Sequence, residues 1–279
     1  MHRLLTGPLK VENLTVAIAD LPASLHGTKI VQLSDFHYDG IRLSDRLLED
    51  AIAASNQAEP DLVLLTGDYV TSDPAPIHKL VLHLKHLQSR FGVCAILGNH
   101  DIYYRHSKQE IRTALTNIGI TVLWNQVIYP LGPGLALIGL ADFRSSKFKP
   151  ASVMKQVDAA TPRIVLSHNP DSAEILQQWR VDLQLSGHTH GGQILLPGLG
   201  PLPAWLPTLT RFIPKPLRRH VPYLRKDSRN VFQHWEWAQG LHQVGTNRLY
   251  VNRGLGTYLP GRLFCPPEVT VIQLVIARD

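Results

Sequence analysis

The sequence has 279 residues, of which 44% are hydrophobic and 18% are charged, a balance that predicts a folded core and argues against a disordered chain. Its two cysteines, Cys94 and Cys265, form no CxxC pair, which argues against a disulfide framework or a thiolate zinc site. No apolar run approaches the roughly 20 residues that span a bilayer, and the first residues lack the apolar stretch of a signal peptide. We therefore expect a cytoplasmic protein, with peripheral attachment to the cytosolic face of a membrane as the alternative.

Short runs of leucine and β-branched residues alternate with amphipathic patterns along the chain. Strands are predicted, in chain order, at residues 11–19, 29–34, 62–66, 92–97, 135–140, 163–167, 183–186, 249–252 and 269–276. Helices are predicted at residues 45–56, 78–87, 108–118 and 171–178, with Ser44 as a candidate N-cap for the first. These are more strands than one doubly wound sheet comfortably takes. The predicted fold is therefore α/β, a four-layer αββα sandwich in which two packed mixed β-sheets are flanked by helices.

Polar residues follow five of these strands at the point where each strand ends. The five stretches are Asp35-Phe36-His37, Gly67-Asp68, Gly98-Asn99-His100-Asp101, His168-Asn169 and Gly187-His188-Thr189-His190. Taken singly, most have an ordinary alternative, because Gly-Asp is common in turns and a histidine such as His168 can be a satisfied core residue. Ligands in α/β proteins gather at the carboxyl ends of strands, so five such stretches in succession favour a shared metal site.

The ligand types indicate which metals would bind. Imidazole, carboxylate and amide oxygen without thiolate suit Mn, Fe or Zn better than Mg or Ca. The candidate groups are too many for one ion, so we expect two divalent metal ions that share one carboxylate. Thr189 separates the two histidines of GHTHGGQ, at residues 187–193, so they can point apart to two metals or flank one.

The ordered stretches resemble the motifs of the calcineurin-like metallophosphoesterase superfamily. Its D-x-H, G-D, G-N-H-D/E, G-H and G-H-x-H blocks are matched by DFH, GDY, GNHD, SHNP and GHTH, over about residues 10 to 196. Ser167 replaces the customary glycine of the fourth block and leaves its histidine in place. GHTHGGQILLP and YVNRGLGTYLPGRLFCPPEVTVIQL further resemble the bacterial YkuE-like branch. That branch is usually membrane-associated and includes enzymes linked to UDP-2,3-diacylglucosamine cleavage.

The resemblance implies a role for each matched residue. Asp35, His37 and His190 would hold the first metal, Asp68 would bridge, and Asn99, His168 and His188 would hold the second. His100 would act as the catalytic acid, and Asp101 would orient its imidazole.

Three more residues are candidates for substrate binding. Gln193 could donate to a phosphate oxygen, and an ordinary turn role is the alternative. Arg253 and Arg262 follow glycine-rich turns, and each could bind a phosphate through two parallel hydrogen bonds of its guanidinium group. The alternative for both arginines is a solvated position on the surface.

These features predict a dinuclear-metal phosphohydrolase that cleaves a phosphodiester or pyrophosphate bond, and a lipid-linked nucleotide such as UDP-2,3-diacylglucosamine is one candidate substrate. Rival hypotheses on the same site are a nucleotide phosphodiesterase, a nuclease or a protein phosphatase. A rival of another class is a metal-binding scaffold without turnover. The complete set of expected ligand positions argues against a scaffold.

Residues 194–226 carry six basic and no acidic residues, which equals the net charge of +6 of the whole chain, and seven of its 20 prolines. We treat the chain as a single domain over residues 1–279, with a basic, proline-rich insertion at about 197–237. Trp205 and Phe212 could contact acyl chains while the basic residues meet an anionic membrane surface. The alternative is a loop packed on its own domain, and nucleic acid is the least favoured partner. No pattern is assigned to residues 225–245.

Overall fold

The protein is described here by a computed structural model that covers residues 6–209 and 232–277. Most of the basic segment at 194–226, including Phe212, lies outside the described residues. Two six-stranded sheets make up the centre of the described chain. Within these two ranges, no helix combines the length and the apolar character needed to cross a bilayer.

The first sheet contains both ends of the described chain. Its strands are β1 (Lys10–Ile18), β2 (Lys29–Leu33), β3 (Leu62–Leu65), β4 (Val93–Ala95), β5 (Thr121–Val122) and β14 (Glu268–Ile276). They lie in the order β1-β14-β2-β3-β4-β5. Strands β2 to β5 are parallel, β14 is antiparallel to β2, and β1 runs parallel to β14. The last strand is therefore inserted between the first two.

The second sheet is assembled from the later part of the chain. Its strands are β6 (Gln126–Ile128), β7 (Ala136–Gly139), β8 (Arg163–Leu166), β9 (Leu183–Ser186), β12 (Gly240–Val244) and β13 (Asn247–Val251). They lie in the order β12-β13-β9-β8-β7-β6, with antiparallel strands at the two edges. A short hairpin, β10 (Leu195–Leu196) with β11 (Gly200–Pro201), follows the last histidine-rich turn.

Helices cover the outer faces of both sheets. They are α1 (Asp45–Gln57), α2 (Ile77–Leu84), α3 (Ser107–Asn117), α4 (Pro150–Met154) and α5 (Ser172–Leu176), whereas α6 (Leu202–Leu209) follows the β10–β11 hairpin and contacts β11. Apolar residues of α1, α2 and α3 share a core with the first sheet, and those of α4 and α5 share one with the second. Ser44 caps α1 as predicted, because its hydroxyl accepts the Leu47 amide at 3.3 Å.

The alternation of side chains along β3 explains the four layers. Leu62 and Leu64 join the core between the two sheets, whereas Val63 and Leu65 face the helices. Both faces of the strand are buried, so it forms an uninterrupted apolar run. The predicted αββα sandwich of two mixed sheets is confirmed.

Most differences from the prediction are short or polar elements. Strands β5, β6, β10 and β11 and helix α4 were not predicted, and each has five residues or fewer. Helix α6, eight residues long in the proline-rich insertion, was not predicted either. Strand β12 lies within residues 225–245, where no pattern was assigned, and its half-exposed sequence GLHQV explains why it was missed. Helices α2 and α5 end before the predicted boundaries, at Leu84 and Leu176.

Leu64→Ala is expected to lower the free energy of unfolding by about 2–5 kcal/mol, because the fully buried side chain would leave a cavity between the sheets. Urea titration of the metal-stripped protein measures this loss. Leu82→Ala is the matched control, since Leu82 on α2 is 56% exposed and its truncation should change the free energy by about 0.5 kcal/mol or less. Equal losses in the two variants would contradict the placement of Leu64 between the sheets.

Candidate metal centre

The five polar stretches predicted from the sequence meet at one edge of the sandwich. Asp35 follows β2, Asp68 follows β3, and His100 follows β4, all in the first sheet. His168 and His188 follow β8 and β9 of the second sheet. The candidate ligands from both sheets are therefore brought together, as the strand-end pattern indicated.

Several of these residues have an uncommon backbone conformation with positive φ. They are Asp35 (φ 52°), His37 (φ 41°), Asp68 (φ 57°), His188 (φ 72°) and His190 (φ 51°). Residues other than glycine adopt this region rarely, and each such conformation costs on the order of 1 kcal/mol or more. The left-handed turns aim the side chains inward, so strain is concentrated where the ligands meet.

Two glycines allow the loops to approach each other closely. A Cβ atom at Gly98 would collide with the carboxylate of Asp68. A Cβ atom at Gly187 would collide with the carboxylate of Asp35. The glycines of the GNHD and GHTH motifs are thus required by the space that the two carboxylates occupy.

Asp35, His37 and His190 form the first group of possible ligands. The Nε2 atoms of His37 and His190 lie 3.1 Å apart, and His190 Nε2 lies 3.4 Å from Asp35 Oδ1. Burial lowers the pKa of His37 well below its usual range and that of His190 to about 4, so both rings are neutral near pH 7. His190 Nδ1 donates to the Gly256 carbonyl at 3.1 Å, which leaves the Nε2 lone pair facing the group.

Asp68, His168 and His188 form the second group, in which the donor atoms all lie within 4.8 Å of one another. His168 Nε2 lies 3.0 Å from Asp68 Oδ2, and His168 Nδ1 donates to the Thr66 carbonyl at 2.7 Å. Asp68 Oδ2 also lies 3.5 Å from His37 Nε2. One carboxylate oxygen is therefore close to imidazoles of both groups.

The residues present fit divalent metal ions. Among the described residues, the buried Oδ1 atom of Asn99 has no hydrogen-bond partner, and such an atom is rare unless it has a ligand or water. The neutral imidazole nitrogens of His37 and His190 converge without a donor between them. Imidazole, carboxylate and amide oxygen together match the preferences of Mn, Fe or Zn.

His100 and Asp101 have different surroundings. The His100 amide donates to Asp68 Oδ1 at 2.9 Å, and its ring Nδ1 contacts the Thr71 carbonyl. The ring also forms a third possible donor group with His37 and Asp68. The Asp101 carboxylate instead accepts the amides of Gly98 and Asp68, each at 2.8 Å.

This geometry differs from the role predicted for Asp101. Its carboxylate also accepts the Tyr69 amide at 2.8 Å, so it joins the loops after β3 and β4. The His100 imidazole has a backbone carbonyl as its partner, not Asp101. Asp101 therefore organises the backbone that carries Asp68 and His100.

Neither alternative predicted for the two arginines describes their surroundings, because both are buried and bound to the protein. Arg253 forms ion pairs with Glu12 at 2.7 Å and with Glu268 at 2.9 Å. Arg262 donates to the carbonyls of Arg253 at 2.8 Å and Gly256 at 2.7 Å. These arginines hold the loop that contacts His190, and their guanidinium groups are already engaged.

Gln193 has a structural contact as well. Its Oε1 accepts the Tyr258 amide at 2.6 Å, and its φ is 58°. The hydroxyl of Tyr258 lies 3.0 Å from His37 Nδ1. The sequence prediction missed Tyr258, because nothing in a loop 221 residues away in the chain indicates this contact.

Asp142 is a second residue that the prediction missed. It follows β7, it is 1% exposed, and within the described chain its Oδ2 has no hydrogen-bond partner. Burial raises the pKa of its carboxyl, and the nearby His168 opposes this shift. The strand-end rule that identified the other candidates would also have identified Asp142.

The curated sequences similar to this chain include a phosphodiesterase, a metallophosphoesterase and a pyrophosphatase. Phosphodiesterase YaeI of Escherichia coli is 35% identical over 252 residues, 88% of this chain and 82% of that protein. The metallophosphoesterase YkuE of Bacillus subtilis is 33% identical and covers 93% of this chain and 83% of its own length. The UDP-2,3-diacylglucosamine pyrophosphatase LpxG of Chlamydia muridarum is 28% identical over 95% of this chain and 89% of its own.

A solved structure and a family profile agree with these relatives. A dimetal phosphatase from Danio rerio covers 84% of this chain and 90% of its own, with a TM-score of 0.50 and 12% identity, and thus shares the fold. The profile of the calcineurin-like phosphoesterases matches residues 28–192, the range that holds every candidate metal ligand. The chain therefore belongs to the calcineurin-like phosphoesterase family of metal-dependent hydrolases.

Proposed function

We propose that this protein is a dinuclear-metal phosphohydrolase that cleaves a phosphodiester or pyrophosphate bond. The observation that carries the proposal is the position of Asp68 Oδ2, 3.5 Å from His37 Nε2 and 3.0 Å from His168 Nε2. A carboxylate shared by two ligand groups suits a pair of ions held about 3.5–4 Å apart.

Each ligand group would hold one of the two metals. Asp35, His37 and His190 would hold the first, Asn99, His168 and His188 the second, and Asp68 would bridge them. The donor types favour Mn, Fe or Zn. When bound, such a pair of ions stabilises negative charge on a phosphoryl group and lowers the pKa of water.

His100 is the proposed general acid. Its Nδ1 contacts the Thr71 carbonyl, which can only accept, so Nδ1 keeps its proton and Nε2 is the atom that exchanges one. The half-buried ring packs nearly perpendicular to that of His37, with 4.8 Å between centroids, so it lies beside the first ligand group. From there it would protonate the departing oxygen of the substrate. A role as a metal ligand is the alternative.

A lipid-linked nucleotide is the substrate class that we favour. YaeI is named a phosphodiesterase, and LpxG is named a pyrophosphatase of UDP-2,3-diacylglucosamine. In this chain, Ile41 and Leu259 are each 76% exposed and Phe264 is 68% exposed. Leu259 follows Tyr258, which contacts His37, and Phe264 precedes Cys265, which contacts the His190 carbonyl. Apolar side chains at such a position suit acyl chains better than a free nucleotide. A nucleotide phosphodiesterase or phosphatase of other specificity is the second candidate function.

The insertion at about residues 197–237 would contact an anionic membrane surface. Among the described residues of this insertion, Leu199 is 57% exposed and Trp205 is 41% exposed. The sequence of residues 194–226 contains six basic and no acidic residues. Each basic side chain contributes about 1 kcal/mol of binding free energy near a negative membrane surface. The protein would then be cytoplasmic and peripheral on the cytosolic face of the membrane.

Removal of metal is expected to abolish hydrolysis of bis-p-nitrophenyl phosphate, and added Mn²⁺ should restore it. The same protein should show little activity on p-nitrophenyl phosphate, the monoester.

Asp68→Asn should lose turnover by about 100-fold or more, because it removes the carboxylate charge shared by the two ligand groups. Asp50→Asn, on the exposed face of α1, is the matched control and should retain full activity. Metal that binds without turnover on any phosphoester would favour the scaffold hypothesis.

His100→Asn is expected to retain both metals and to lose about 10²–10⁴-fold in turnover, the usual effect of a general acid. Metal content by mass spectrometry and diester kinetics measure the two quantities separately. His78→Asn, on α2 beside Glu110, controls for the substitution itself. Unchanged turnover would remove His100 from the mechanism, and loss of one metal would favour its role as a ligand.

Sedimentation with liposomes tests the membrane surface. The protein should be retained by vesicles that contain anionic lipid at low salt and released at high salt, because screening shortens the range of the attraction. Neutral vesicles are the control for the lipid, and Arg218→Glu with Arg219→Glu is the variant that should weaken retention. No retention at low salt would contradict a membrane contact.

A further inference from the structure

Tyr258 contacts the first ligand group, which consists of Asp35, His37 and His190. Its hydroxyl lies 3.0 Å from His37 Nδ1. Its ring stands edge-on to His37, with 5.0 Å between centroids, and edge-on to His190, with 5.4 Å between centroids. One side chain thus touches two of the three residues proposed to hold the first metal.

Contacts from two loops fix the position of Tyr258. Its amide donates to Gln193 Oε1 at 2.6 Å, close to the turn that carries His190. The guanidinium of Arg42 lies over the tyrosine ring, 4.5 Å from the centroid. The Arg42 carbonyl also accepts the Thr257 amide at 2.9 Å. The tyrosine is therefore held beside His37 by packing on its ring and by the hydrogen bonds of the Tyr258 and Thr257 amides.

The two nitrogens of His37 have different partners. Nε2 faces the other candidate ligands, 3.1 Å from His190 Nε2 and 3.5 Å from Asp68 Oδ2. A metal on Nε2 leaves the proton of the neutral ring on Nδ1, which then needs an acceptor. The oxygen of Tyr258 is at hydrogen-bonding distance for that role.

Two other imidazoles of the site use backbone carbonyls for the same purpose. His168 Nδ1 donates to Thr66, and His190 Nδ1 donates to Gly256. A carbonyl cannot be removed by substitution, but the tyrosine hydroxyl can. His37 is therefore a ligand whose supporting hydrogen bond is set by a side chain.

We propose that Tyr258 is a positioning residue for the first metal. It accepts the Nδ1 proton of His37, fixes the tautomer that directs Nε2 inward, and so raises the affinity of the Asp35, His37 and His190 group for its metal. This inference rests on the proposed dinuclear function. Partners of this kind typically contribute about 10–100-fold in metal affinity.

The test is a Co²⁺ titration of chelator-treated protein, followed by calorimetry and by the visible absorption of the bound ion. In Tyr258→Phe, one of the two equivalents of Co²⁺ should bind about 10–100-fold more weakly than in the wild type. The affinity of the other equivalent should be unchanged. Saturating metal should restore most of the turnover. Tyr129→Phe is the matched control, since Tyr129 is 43% exposed and follows β6 at the far edge of the second sheet.

A second pair of variants separates the hydrogen bond from ring packing. Tyr258→Gln keeps an acceptor and Tyr258→Leu does not, although both lose the ring. The Gln variant should bind the weakened equivalent more tightly than the Leu variant. The positioning role of Tyr258 would be overturned if the Gln and Leu variants bound Co²⁺ with equal affinity, or if Tyr258→Phe bound both equivalents as tightly as the wild type. Either result would leave the dinuclear function standing. Wild-type protein that binds fewer than two equivalents would overturn the dinuclear function and this inference with it.

Discussion

The buried carboxylate of Asp68 is the group on which the rest of the site depends. Burial raises its pKa, but the charges of His168 and His100 hold that pKa well below its usual range, so it remains ionised. Burial opposes a charge on His168 in the same way, yet Asp68 raises the pKa of that imidazole to about 10. Without metal, the two form a buried ion pair between loops of different sheets. A metal that takes this position must displace a proton, so its affinity depends on pH.

Several buried ionisable residues hold the backbone of the loops that carry the candidate ligands. Asp101 accepts amides from the two loops that carry Asp68 and His100. Arg262 donates to the carbonyls of the loop that contacts His190. An isolated buried charge is costly, and satisfied hydrogen bonds offset that cost. These contacts also hold ligand residues whose positive φ angles would otherwise relax.

The sequence predicted the parts of this structure that follow from local patterns. Uninterrupted apolar runs such as 62–65 identified the buried strands, and the polar residues after them identified the metal centre. The roles of Asp101, Arg253 and Arg262 depend on contacts that no local pattern encodes. Arg253 pairs with Glu12 across 241 positions of the chain. Strand β12 was missed for a different reason, because an edge strand with one exposed face has little apolar signal.

The insertion of β14 between β1 and β2 has a consequence for the order of folding. Strand β1 pairs with β14 along nine residues, so it can join the sheet only after the last strand has been synthesised. Pairings so distant in the chain form late and slowly. The first residue of β14, Glu268, bonds through its amide to Gly254 and through its carboxylate to Arg253. The loop behind Asp35 and His190 therefore becomes rigid at the same late step. A chain that stops before β14 would lack this support, so the hydrolytic site would form only after the residues of β14 have been synthesised.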